Sequence, residues 1–131
     1  MTIDSIGGAG GAWAIAALLL ATAELAVPVR AMAEVAEAIA PHLKPGATVT
    51  DCAGNTGDEA HRAEAVAAAV GQGGIHILVN NTGINPIFGP LMNADLGAFR
   101  KIFDTNVVAA LGFIQEAYRA GMRDSGGAVV N

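Results

Sequence analysis

Short apolar runs alternate along this chain with longer stretches whose hydrophobic residues recur at helical spacing. Residues 2–6 read as a strand, although Asp4 and Ser5 make it a poor buried one, and the Ala- and Leu-rich residues 12–24 read as a helix. Residues 25–29 are an apolar strand candidate. In residues 31–43, Met32, Val35, Ala36 and Ile39 share one helical stripe, with Glu34 and Glu37 off it. Lys44-Pro45-Gly46 ends that amphipathic helix. A strand at 47–50, an alanine-rich helix at 58–70 and a strongly β-prone strand at 75–79 follow. A loop over 82–93 carries the turn signals Asn85-Pro86 and Gly89-Pro90. Residues 95–122 read as one long helix, and Gly126-Gly127 introduces a last strand at 128–130.

Strands that alternate with helices predict an α/β domain built from parallel βαβ units, with helices on both faces of the sheet. No repeat, linker or low-complexity break divides residues 1–131, so a single domain is expected. The chain stops in a strand, without the helix that would cover it. The expected sheet is therefore incomplete, with about five strands, and the chain reads as truncated.

Composition narrows the function classes. The chain has 131 residues, 53% of them hydrophobic, which is ample for a packed core. A formal charge of −5, with seven Lys and Arg and no basic cluster, gives no electrostatic footprint for nucleic acid or an anionic membrane. The apolar run 12–23 is shorter than the roughly 20 residues a spanning helix needs. Ala21-Thr22-Ala23 follows leucines as a signal-peptide cleavage triplet would, but no Lys or Arg precedes Arg30. A cytoplasmic protein is expected. The single cysteine, Cys52, has no Cys or His partner at metal or redox spacing and reads as a small buried apolar residue. His42, His61 and His76 are likewise scattered, and are read as structural or surface residues with no metal site.

Ligands of a doubly wound sheet collect beyond the carboxyl ends of its strands. Gly7, Gly8, Gly10 and Gly11 follow the first strand candidate and open a helix, where backbone amides and the helix dipole can receive a pyrophosphate. A flexible joining turn would use the same glycines. The place of the motif's final glycine holds Trp13, whose indole would push the helix outward or turn the loop from the phosphates. Arg30 ends the second strand candidate, where a basic residue favours NADP over NAD; a solvated arginine is the alternative.

Three ordered motifs carry a more specific signal: LVNNTG at 78–83, DTNV at 104–107 and GGAVVN at 126–131. Together they resemble the short-chain dehydrogenase/reductase family, with Thr82 in place of the usual alanine. The resemblance implies a Rossmann-like doubly wound parallel sheet and NAD(P)-dependent hydride transfer between an alcohol and a carbonyl. Within it, Asn80 is expected to brace the sheet through neighbouring backbone. Asn81, Thr82 and Gly83 would line the adenosine and ribose side of the cofactor. Simple strand capping and turn formation remain the alternative for Asn80 and Asn81. Asn106 matches the helix asparagine of the family's catalytic Asn-Ser-Tyr-Lys set, where it supports a proton-relay water. Asp51 resembles an aspartate that contacts adenine, and capping explains it equally well.

The family's serine and Tyr-x-x-x-Lys are not found in these residues. The only tyrosine is Tyr118, whose fourth neighbour is Met122, and it reads as a helix-packing residue. Residues 25–51 look more like a segment of prephenate dehydrogenases, which also use a dinucleotide fold, so a recombined chain is a further reading. Three readings of function follow: an oxidoreductase of this family or a catalytically incomplete fragment of one, a module that only binds nucleotide, and an interaction or structural fragment that self-associates through uncovered apolar surface.

Overall fold

The computed structural model describes residues 52–131 together with 37, 38, 40–42 and 50. The strands expected at 2–6 and 25–29, the helix at 12–24 and nearly all of the strand at 47–50 lie outside the described residues. Within the helix expected at 31–43, Glu37 and Ala38 are helical and Ala40–His42 forms a 3-10 turn.

Helix α1 spans Glu59–Gly71. Asp58 starts it, its carboxylate accepting from the Ala60 N–H at 2.9 Å and so satisfying one of the first-turn amides left without a helical acceptor. The turn after it uses Gly73 and Gly74 at φ 120° and 109°, where a side chain would be strained. Strand β1 is Ile77–Val79. It covers three residues of the apolar run 75–79.

After a loop and a 3-10 turn at Leu91–Asn93, helix α2 runs Leu96–Phe103. Asp95 caps it by accepting from the Ala98 N–H at 2.7 Å. The path continues through a π-helical turn at Asp104–Val108 into α3, Ala109–Ala117, and through a second such turn at Tyr118–Met122 into the single turn α4, Arg123–Ser125. The long helix expected at 95–122 is thus present but broken at Gly121, whose φ of 150° is non-helical. Strand β2, Ala128–Val130, then pairs with β1 in parallel: Ile77 with Ala128, Leu78 with Val129, Val79 with Val130. The ladder continues with Ala128 N–H donating to the His76 carbonyl at 2.9 Å and Asn80 N–H to that of Val130 at 2.8 Å. Gly127 admits this approach, since a Cβ there would stand 2.8 Å from the His76 carbonyl oxygen.

A parallel pair needs a crossover, and residues 80–127 supply it with α2 and α3. The core forms where Ala65 and Val66 of α1, Ile75, Leu78 of β1, and Phe113 and Ala117 of α3 meet. Phe113 is 1% exposed and is the largest fully buried side chain among the described residues. The small buried Ala65 and Ala117 let α1 and α3 approach closely. Cys52 is half-buried at the edge of this cluster rather than inside it. Tyr118 corrects the sequence reading: it is 54% exposed, because the helix turns Phe113 and Ala117 to the core and carries position 118 about 100° away.

Candidate functional site

Parallel strands present their carboxyl ends at one edge, and β1 and β2 deliver Asn80 and Asn131 there side by side. The Asn80 amide nitrogen donates to Asn131 Oδ1 at 2.8 Å. Asn80 therefore braces the edge twice, through its backbone N–H to Val130 and through a side chain whose partner is another side chain. That partnership spans 51 positions and has no local signal in the sequence.

Beyond Asn80 the chain leaves the sheet with Asn81 exposed, Thr82 half-buried and Gly83 exposed. Asn106 fixes this exit. It lies in the π-helical turn, and its side-chain amide grips both backbone groups of Ile84: Oδ1 accepts from the Ile84 N–H at 2.8 Å and Nδ2 donates to the Ile84 carbonyl at 3.0 Å. The expanded turn, in which the Ala109 N–H reaches back five residues to the Asp104 carbonyl, inserts one residue relative to α-helical phase. Such an insertion re-aims side chains around the helix, and here Asn106 points at the loop. Each polar atom of Asn106 makes one bond to Ile84, so the side chain holds the loop.

Between loop and helix lies an open groove of ≈ 370 Å³, lined by Asn80, Thr82, Asn106 and Asn131 on its polar side and by Val107, Ala110, Leu111 and Ile114 on its apolar side. Gly83 faces Asn106 without being forced to: a Cβ there would sit 3.7 to 3.8 Å from the asparagine amide, ordinary contact distance. The protein's own packing therefore leaves room for a side chain at position 83. Thr56, 2% exposed, lines a separate small cavity with Phe113, Asn80 and Thr82. Its burial is not foreshadowed by any motif.

The structure thus brings Asn81, Thr82, Gly83 and Asn106 to one edge of the sheet. Gly7, Gly8, Gly10, Gly11, Trp13, Arg30 and Asp51 lie outside the described residues. No helix among the described residues is long and apolar enough to cross a membrane.

Comparison with known proteins gives consistent matches. The family model described as short chain dehydrogenase matches residues 5–131, which includes the segment 25–51. The chain is 34% identical over 109 residues to dehydrogenase/reductase SDR family member 4 of Oryctolagus cuniculus, covering 82% of this chain and 42% of the relative. Among solved structures, a short-chain dehydrogenase/reductase of Mycobacterium ulcerans superposes with a TM-score of 0.71 at 23% identity, over 78% of this chain and 38% of that one. ElxO, solved with NADP bound, matches with a TM-score of 0.59 at 27% identity, over 72% of this chain and 40% of that one. The chain spans about two-fifths of the length of the proteins it matches.

Proposed function

The chain belongs to the short-chain dehydrogenase family, and from that premise we propose that it holds a nicotinamide dinucleotide, NADP in preference to NAD, for an oxidoreductase that interconverts an alcohol and a carbonyl compound. The observation that carries this reading is residues 80–83 leaving the carboxyl end of a parallel strand beside an open groove, with a glycine where the protein itself requires none. A dinucleotide's ribose and adenine fit such an edge, because backbone can approach them where no side chain intervenes. Asn81, Thr82 and Gly83 line that side, and Asn106 positions them through Ile84. The bound nicotinamide would supply or accept the hydride. The proposal extends to Gly7, Gly8, Gly10 and Gly11 at the pyrophosphate, Arg30 at the NADP phosphate and Asp51 at adenine. ElxO, with NADP bound, supports the choice of cofactor class.

Among these 131 residues the only tyrosine is followed four positions later by Met122, so cofactor binding without turnover is the activity expected of them. A small-molecule alcohol or carbonyl is the substrate class; nucleic acid and membrane are not proposed as partners. A reducing cytoplasm suits the single thiol. Calorimetric titration should show NADP binding more tightly than NAD, and Gly83→Ala should weaken NADP by about tenfold while leaving the unfolding midpoint unchanged. No heat with either dinucleotide at millimolar concentration would overturn the proposal, and steady NADPH oxidation with a carbonyl substrate would overturn the absence of turnover.

A second reading, self-association, is favoured by the exposure of Leu96, Phe99 and Phe103 on α2 and of Val129 and Val130 on β2. Light scattering should report an assembly that Phe99→Glu shifts toward monomer; a monomeric parent chain at high concentration would remove this reading.

A further inference from the structure

Cys52, His61 and Glu64 show no ligand spacing in the sequence, but the fold brings them together. His61 and Glu64 stand three positions apart on the first turns of α1, which places them on the same face. The residues between Cys52 and α1 turn back so that one ligand atom from each of the three side chains lies within 4.8 Å of the others. The central member is a buried imidazole. His61 is 7% exposed, and its Nε2 is buried without a hydrogen-bond partner among the described residues. The ring lies against Gly54 so closely that any Cβ at that position would overlap it. A buried polar nitrogen left unmatched is rare in a folded core and calls for an explanation, of which a bound ion is one.

We propose that Cys52, His61 and Glu64 bind one zinc ion. A thiolate, an imidazole and a carboxylate form a donor set suited to this borderline-soft cation, with a fourth position left for water. Bonds of about 2.0–2.3 Å require the three groups to draw inward slightly, and the exposed Glu64 is the one with freedom to move. Thiolate and carboxylate together neutralise the dication, so the buried imidazole meets a compensated charge rather than an isolated one. The ion ties the loop from Cys52 to the start of α1. Zinc therefore stabilises the folded chain by binding it in preference to the unfolded one.

The test uses the full chain, stripped of metal by chelation under reducing conditions. Zinc titrated by calorimetry should bind at one equivalent and raise the unfolding midpoint, and cobalt(II) in its place should show tetrahedral visible bands with a thiolate-to-metal charge-transfer band. Cys52→Ser should abolish the charge-transfer band and weaken zinc by about a hundredfold. His61→Asn should weaken it similarly. Because a change at buried His61 can disturb the core, Glu64→Gln, on the exposed side, supplies an independent arm and should weaken zinc by about tenfold. Cobalt bound without a thiolate band, or zinc affinity unchanged in both Cys52→Ser and Glu64→Gln, overturns the proposal. So does the absence of binding in the parent chain.

Discussion

Replacing Phe113 by alanine is expected to destabilise the chain by about 3–5 kcal/mol, read as a drop in the urea midpoint at unchanged slope. The ring is 1% exposed and sits among Ala65, Val66, Ile75, Leu78 and Ala117, so α1, β1 and α3 all pack on it. Its removal loses the transfer free energy of the ring and leaves a void that alanine neighbours cannot fill. Domains of this kind are stable by only about 5–15 kcal/mol, so the substitution takes a large share of the total. Phe113→Leu keeps most of the volume and should lose no more than about 1.5 kcal/mol. If alanine and leucine behave alike, with losses under about 1 kcal/mol, Phe113 is not the hub of this core.

Asn106→Leu is the second large effect, and it separates the loop from the core. Leucine preserves the bulk of asparagine but removes the acceptor for the Ile84 N–H and the donor for the Ile84 carbonyl. A partly buried amide left without its partner costs about 1–3 kcal/mol. The expected outcome is a loss of that size together with fast hydrogen exchange at Ile84. NADP affinity should fall by about tenfold as residues 80–83 lose their fixed exit. Asn106→Asp discriminates further. It keeps an acceptor for the N–H but turns the 3.0 Å donor contact into an oxygen facing the Ile84 carbonyl. It should therefore retain partial amide protection while still losing stability. Continued protection of the Ile84 amide in Asn106→Leu would show that the clamp does not hold the loop.

The local devices were legible in the sequence. Asp58 and Asp95 start the helices read at 58–70 and 95–122, because a short carboxylate before an alanine- or leucine-rich run satisfies first-turn amides wherever it occurs. The strand read at 128–130 is observed at Ala128–Val130, since glycines before a β-branched run leave little alternative. The motif at residues 78–83 likewise pointed to the site's strand, because a strand followed by small polar residues and glycine is a local pattern.

What tertiary structure decided are partnerships across long stretches of chain. Nothing near Asn106 foretells that its amide would close on Ile84, 22 positions away, because the aim depends on where the expanded helical turn carries the side chain relative to the loop. Asn80 and Asn131 meet only through the register of a parallel pair. Tyr118 looks like a packing residue by type, yet helical phase relative to Phe113 and Ala117 leaves it at the surface. By sequence Cys52 reads as a buried thiol and His61 as a scattered histidine, and nothing singles out Glu64. Sequence spacing fixes which residues share a helix face or strand end. Which faces meet is fixed by burial and close packing of the whole domain, and that is where the clamp at Ile84 and the Cys52–His61–Glu64 cluster arise.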